Sequence, residues 1–191
     1  MIRALVSSVA DFDPMGLIFA VFVQNDSSIR LYDMRSYSRG PFKMAKLEPN
    51  YGSNLTMGEV HSIEFSPNGK RIALSTNGMN MRVMDAYSLG EVSEVIGFNN
   101  ELKRNLRLSW SPDSKYLFCG SSGSFAGPGN YGHLNMLNAE TGALIRQWKT
   151  MHESFTQNVK FNPKYYIIAS ACHDVSYWTP SYESVKQLND P

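Results

Sequence analysis

Short apolar runs separated by turn-forming residues dominate the pattern of this chain. Runs rich in Ile, Val, Phe and Tyr that are bounded by turn residues predict β-strands, and no useful stretch shows the apolar spacing of a helix. The first set of runs is LIFAVFV from Leu17, RIALST from Arg71, YLFCGS from Tyr116 and YIIASAC from Tyr166. A second set follows as SIRLYD from Ser28, MRVMDA from Met81, HLNMLN from His133 and VSYW from Val175.

An aromatic residue followed by a turn precedes each run of the first set, roughly 50 residues after the one before. Proline and glycine supply the backbone angles that such turns need. Three units add an apolar stretch, at 42–47, 92–96 and 143–148. Each unit is therefore predicted to be a four-stranded antiparallel blade of a β-propeller. The predicted units are 1–47, 59–96, 105–148 and 155–178, followed by a C-terminal tail at 181–191.

The segment DSSIRLYD, which begins at Asp26, carries a resemblance to the WD repeat. In this resemblance Asp26 is the turn aspartate, and Tyr32 takes the position of the usual tryptophan. Other units depart from the pattern, because Met84 and Leu137 replace the tryptophan and no Gly-His pair is present. His152 is the nearest equivalent of that histidine. The residues expected to have structural roles in the repeats are Asp26, Tyr32, Asp33, Asp85 and Trp178.

The order of the units resembles the WD-repeat-containing protein 82 family, from about residue 9 to residue 180. The segments that carry this resemblance include FDPMGLIFA, LYDMRSYSRGPF and LSTNGMNMRVMDA. The resemblance implies a nuclear scaffold, shared by COMPASS-type SET-domain histone methyltransferase complexes and a nuclear phosphatase and transcription-termination complex. It implies protein partners from such complexes, and it adds the phosphorylated tail of RNA polymerase II as a further partner.

The number of blades differs from the seven that the resemblance implies, because the chain supplies about four, which resemble the last four. A ring of seven blades would need roughly 300 residues at this period. We favour the interpretation that the sequence is a fragment of a longer protein, an incomplete seven-bladed ring. Two alternatives are a ring completed by another chain and closure as a four-bladed propeller.

Composition and charge argue against several classes of function. The chain has 18 basic and 17 acidic residues for a net charge of +1, which predicts no direct nucleic-acid or anionic-membrane surface. The chain contains no run of about 18 apolar residues, so no membrane-spanning helix is expected. The N-terminus lacks the pattern of a secretory signal, so an intracellular location is expected. Cys119 and Cys172 are expected to be buried free thiols.

The sequence contains few residue patterns that are typical of catalytic sites. There is no G-x-S-x-G, and no G-K-[ST] follows the glycine-rich insert at 120–132. The histidines lack ligand spacing and neither cysteine lies in C-x-x-C, so we expect no enzyme activity, no cofactor and no metal site. Loops on a rigid scaffold more often bind partners. The candidate contact residues in the loops are Tyr51, Phe98, Lys103, Arg104, Phe125, Tyr131 and His152.

Arg35 belongs to a separate hypothesis. The run from Tyr32 to Arg35 resembles the W-D-x-R signature of substrate receptors of cullin-RING ubiquitin ligases, in which the arginine meets an adaptor. The competing interpretation is that Asp33 and Arg35 only shape the turn after the strand. A propeller enzyme is the more remote alternative to a scaffold.

Overall fold

Four antiparallel β-sheets make up the described part of the protein. The structure is a computed structural model that describes residues 8–47, 58–78, 80–96, 100, 103–121, 132–152 and 155–181. In each sheet the strands pair in chain order, so every strand lies beside the one that follows it. This is the meander of a propeller blade, and it confirms the all-β propeller prediction. We number the sheets as blades 1 to 4.

The blades have the following strands. Blade 1 contains β1 (Ser8–Phe12), β2 (Ile18–Val23), β3 (Ser28–Asp33) and β4 (Lys43–Lys46), and blade 2 contains β5 (Val60–Phe65), β6 (Arg71–Thr76), β7 (Asn80–Asp85) and β8 (Glu91–Ile96). Blade 3 contains β9 (Leu108–Trp110), β10 (Tyr116–Ser121), β11 (His133–Asn138) and β12 (Leu144–Lys149), and blade 4 contains β13 (Asn158–Phe161), β14 (Ile168–Ala171) and β15 (Val175–Trp178). Short 3-10 turns occupy Gln24–Asp26 and Tyr37–Arg39.

Polar side chains close the turns that follow the third strand of blades 1 to 3. Asp85 Oδ1 accepts hydrogen bonds from the backbone N–H groups of Tyr87 (3.0 Å) and Ser88 (2.8 Å). Asn138 accepts the equivalent pair from residues 140 and 141 in blade 3. Asp and Asn favour turns because their side chains substitute for a backbone acceptor. The aspartate or asparagine that ends the third strand therefore caps the turn.

The hydrophobic core lies between the blades. Alternate side chains of a strand point to opposite faces, so each blade presents one apolar face to its neighbour. Fully buried side chains between blades 1 and 2 include Phe22, Ile29, Ile72 and Leu74. Trp110 and Leu117 pack between blades 2 and 3. The cluster between blades 3 and 4 is smaller, with Phe118, Leu134 and Val159 as its buried members.

Hydrogen bonds between the innermost strands join the blades. Asp11 Oδ2 in blade 1 accepts from the Phe65 backbone N–H at 2.9 Å, and Ser109 Oγ in blade 3 accepts from the Phe161 N–H at 3.0 Å. Between blades 2 and 3 the Trp110 indole Nε1 donates to the Glu64 carbonyl at 3.2 Å. At two of these three junctions, the side chain just before the aromatic residue of the repeat ties one blade to the next.

Three expectations from sequence concern the chain's edges and thiols. Cys119 is buried as expected, whereas Cys172 is only half-buried, because it lies in the turn after β14. Blade 4 has three strands among the described residues, and the tail at 182–191 lies outside them. In the described ranges, no helix is long and apolar enough to cross a membrane.

Candidate interaction surface

The two ends of the blades carry different connections. One end, the loop face, carries the turns after the second strand of blades 1, 2 and 4 (24–27, 77–78, 172–174). It also carries the described parts of the loops before blades 3 and 4 (100, 103–107, 150–152 and 155–157). The opposite end, the turn face, carries the turns after the first strand (13–17, 66–70, 111–115, 162–167) and those after the third strand (34–42, 86–90, 139–143).

Asn100 organises the loop face between blades 2 and 3. Its side chain is 1% exposed. Its amide nitrogen lies within hydrogen-bonding distance of the carbonyl oxygens of Asn77 (3.2 Å), Gly78 (2.9 Å) and Arg104 (2.9 Å). Its Oδ1 accepts from the Arg104 backbone N–H at 2.9 Å. One buried amide therefore fixes the loop before blade 3 to a turn of blade 2.

Arg104 is presented to solvent by that loop. Its guanidinium lies over the ring of Phe155, with the Cζ atom 4.8 Å from the ring centroid, which is a cation–π arrangement. Phe155 belongs to the loop that leads into blade 4, so this contact bridges two blades. Lys103 is exposed beside it and has a positive φ of 49°. These two side chains form a small basic and aromatic surface on a fixed backbone.

The innermost strands of all blades surround a charged cavity of about 270 Å³. Asp11 and Glu64 supply negative charge there, and Arg107 and Lys160 supply positive charge. Lys160 donates to Glu64 across the cavity. Burial raises the pKa of Glu64, and the contact with Lys160 opposes that shift. The two acidic and two basic side chains therefore balance one another within the cavity.

His61 lies at a β-bulge of β5 and precedes Ser62, which lines this cavity. The register with β6 shifts between Val60 and Ser62, and the His61 Nε2 atom is buried without a hydrogen-bond partner. Burial lowers the pKa of His61, and the positive charge of Arg107 lowers it further. The folded protein therefore holds this imidazole neutral.

We predict that acidification destabilises the protein partly through His61. The unfolded chain takes up a proton near the ordinary histidine value of 6.5, while the folded chain resists it. The stabilisation is complete above pH 6.5 and is lost as the pH falls towards the lower folded value. Melting temperatures of wild type and His61→Gln at pH 8 and pH 5.5 should show a smaller drop in the variant. An equal drop in both proteins would contradict the prediction.

His152 is fully buried, with 0% exposure, so its expected role as a partner contact is wrong. Its Nε2 atom lies 2.9 Å from Ser170 Oγ, and Ser170 Oγ accepts a hydrogen bond from Trp178 Nε1 at 2.8 Å. The chain of groups joins the loop before blade 4 to β14 and β15. Among the tryptophan positions of the repeats, only the one held by Trp178 keeps the indole that this network needs.

Asp26 and Tyr32 behave differently in blade 1. Asp26 Oδ1 accepts from the Ser28 hydroxyl at 2.6 Å, and its other oxygen pairs with Arg30. The Ser28 hydrogen bond lowers the pKa of Asp26, and Arg30 adds to this effect. Tyr32 stacks on Phe19 with ring centroids 4.9 Å apart. Blade 1 thus has an aspartate in the turn and an aromatic residue at the tryptophan position. The aspartate is held by an ion pair with Arg30, and the aromatic ring is held by stacking on Phe19.

Arg35 projects from the turn face, and its side chain is 81% exposed. It is paired with Asp33, because its Nε and Nη2 donate to the two carboxylate oxygens at 3.0 and 2.7 Å. Arg35 lowers the pKa of Asp33 to about 2 through these bonds. Asp33 also accepts from the Arg35 backbone N–H at 2.8 Å. The pair shapes its own turn, at the end of the blades opposite Arg104.

Four of the candidate contact residues lie outside the described residues: Tyr51, Phe98, Phe125 and Tyr131. Sequence reasoning missed Asn100 and Phe155, whose importance comes from contacts distant in sequence. It also missed a group of large exposed side chains on the turn face, which a count of aromatics in the turns would have found. These are Met15, Tyr37, Tyr87, Tyr165 and Tyr166.

Similarity to known proteins decides the family. No protein-family model matches the chain. The chain is 37% identical over 175 residues to WD repeat-containing protein 82 of Drosophila melanogaster, which covers 92% of this chain and 51% of that protein. Together with the four blades, this similarity identifies the repeat. The chain belongs to the WD-repeat family.

Two further relatives of this WD-repeat chain come from yeasts. It is 24% identical over 186 residues to the COMPASS component SWD2 of Saccharomyces cerevisiae, covering 93% of this chain and 54% of that protein. It is 33% identical over 119 residues to the Set1 complex component swd2 of Schizosaccharomyces pombe, covering 58% and 31%. The chain spans about half the length of the Drosophila protein and of the Saccharomyces cerevisiae protein.

Proposed function

We propose that this WD-repeat chain is a non-catalytic scaffold in a nuclear histone methyltransferase complex of the COMPASS type. The observation that carries the proposal is its similarity, over most of its length, to proteins named as COMPASS and Set1 complex components. The partners would be SET-domain methyltransferase subunits of such a complex, and the location would be the nucleus.

The loop face supports a binding role through Arg104. Arginine and aromatic residues on a preorganised backbone are the side chains that dominate protein interfaces. The Asn100 amide fixes the loop, and Phe155 orients the guanidinium, so little conformational entropy is lost when a partner binds. Arg104 and Lys103 would also suit an acidic partner such as the phosphorylated polymerase II tail.

Affinity capture of the full chain from nuclear extract, followed by mass spectrometry, tests the proposal. We expect a SET-domain methyltransferase subunit with the wild type, and a loss of at least ~10-fold with Arg104→Ala. Tyr87→Ala is the matched control, because it removes an exposed side chain from the opposite face. Absence of any SET-domain subunit from the wild-type capture would contradict the proposal.

The same capture with Arg35→Ala tests the ligase alternative. A cullin-RING adaptor that is recovered with the wild type and lost with Arg35→Ala would support the receptor function instead. We expect no change, because the Nε and Nη2 atoms of Arg35 already donate to the two carboxylate oxygens of Asp33. Hydrolytic turnover that stays with the chain through purification would contradict the non-catalytic assignment.

A further inference from the structure

Three metal-ligating side chains meet at the loop-face end of blade 4. His152, Cys172 and Asp174 each offer one ligand atom, and these atoms lie within 4.8 Å of one another. Among the described residues, no other group of three or more His, Cys, Asp or Glu side chains lies this close together. The chain separation of His152 from the other two conceals the cluster in the sequence, where no ligand spacing is visible.

The His152 ring is already positioned as a ligand would be. The imidazole is fully buried, and its Nε2 faces Ser170 Oγ at 2.9 Å. If Nε2 carries the proton and donates to Ser170, the Nδ1 lone pair is free. A second-sphere hydrogen bond of this kind orients metal-binding histidines and sets their tautomer. Ser170 is itself held by the Trp178 indole, so the ring has a fixed direction.

The other ring nitrogen has no hydrogen-bond partner. His152 Nδ1 is buried and unbonded, and the nearest Asp174 carboxylate oxygen is 3.7 Å away. That distance exceeds the range of a hydrogen bond. A buried polar atom without a partner costs free energy, and such an atom therefore calls for an explanation. A shared ion between Nδ1, the carboxylate and the thiol supplies one.

The turn after β14 carries the remaining ligands on one side. Cys172 and Asp174 flank His173, and the turn is closed by the Cys172 backbone N–H, which donates to the Asp174 carbonyl at 3.0 Å. His173 is exposed and does not belong to the group of three ligands. The Asp174 side chain is 66% exposed, so solvent reaches the cluster and can complete a fourth position.

We propose that His152 Nδ1, Cys172 Sγ and an Asp174 carboxylate oxygen bind one Zn²⁺ ion with a water as fourth ligand. One imidazole, one thiolate and one carboxylate are ligands that zinc accepts in tetrahedral sites. The two anionic ligands neutralise the ion's charge, and the Cys172 thiol releases its proton to solvent on binding. Ligand atoms of a tetrahedral zinc site lie closer than 4.8 Å, so the turn contracts around the ion.

The site would fasten the turn after β14 to the loop before blade 4, of which 150–152 and 155–157 are described. That loop carries Phe155, on which Arg104 lies, so metal binding would stabilise the interaction surface. Blade 4 has the smallest apolar contact with its neighbour, and a ligand that binds only the folded state raises stability by mass action.

Titration of the purified full chain with Co²⁺ and Zn²⁺ tests the site. We expect one Co²⁺ per chain with a near-ultraviolet thiolate-to-cobalt absorption band, and a rise in melting temperature with Zn²⁺ that a chelator reverses. Cys172→Ser should abolish the band and the rise while leaving the metal-free melting temperature close to wild type, because the His152, Ser170 and Trp178 contacts remain. Asp174→Asn should weaken binding at least ~10-fold.

His173→Gln is the matched control, because it removes an exposed imidazole from the same turn and should leave the band intact. Absence of the band in the wild type would overturn the proposal. A band that persists in Cys172→Ser, or that is lost in His173→Gln, would overturn it too.

Discussion

Gly120→Ala is expected to destabilise the protein by about 3 kcal/mol or more. A Cβ on Gly120 would lie 1.8 Å from the Thr156 carbonyl oxygen and 2.6 Å from its carbonyl carbon. Gly120 belongs to β10 of blade 3, and Thr156 to the buried loop before blade 4. Because the contact is with backbone, no side-chain rotation can relieve it, and the loop or the strand must move.

Urea unfolding followed by circular dichroism measures this effect. Gly90→Ala is the matched control, since its Cβ would meet only the Ser88 hydroxyl at 3.3 Å, and we expect a loss below ~1 kcal/mol. Similar losses in the two variants would contradict the prediction. Because Thr156 follows Phe155, on which Arg104 lies, Gly120→Ala should also weaken capture of the partner.

Asn100→Ala is expected to lower the free energy of unfolding by ~3 kcal/mol. The substitution removes the amide donor from the carbonyl oxygens of Asn77, Gly78 and Arg104, and the acceptor from the Arg104 N–H. Backbone polar groups left without partners in a buried place cost more than the net value of the bonds. Arg104 would lose its fixed backbone, so partner capture should fall as well.

The control for this variant is Asn158→Ala, which removes the same chemical group from an exposed position on β13. We expect that change to stay within ~0.5 kcal/mol of wild type. Thermal and urea unfolding of both variants provide the comparison. A loss for Asn100→Ala no larger than that of the control would show that water replaces the amide, contrary to its 1% exposure.

Local patterns were sufficient for the strands, because strand formation depends on neighbours within a few residues. The alternation in SIRLYD predicts β3, and the structure places it at Ser28–Asp33. Asp33, Asp85 and Asn138 likewise cap turns only two or three residues away. The repeat and its WD-like turn residues could therefore be predicted from the sequence. The similarity to a WD-repeat protein agrees with this prediction.

Candidate binding residues were predicted less well, because exposure depends on what the rest of the chain covers. His152 lies in a polar loop segment, yet Ser170 and Trp178 enclose it. Arg35 matched a short motif and is exposed, but the motif did not indicate that Asp33 pairs with its guanidinium. Arg104 was a correct choice as an exposed residue, but nothing in its local sequence indicated Phe155 beneath it.

The sequence by itself determined the blades, their order and the turn chemistry, since each depends on alternation and turn residues close together in the chain. Only the tertiary structure decided which residues meet across blades. It brought Gly120 against Thr156, fixed the Arg104 loop through Asn100, and gathered His152 with Cys172 and Asp174. The physical reason is that these contacts come from the packing of one blade on the next and from the return of the connecting loops, which no local period encodes.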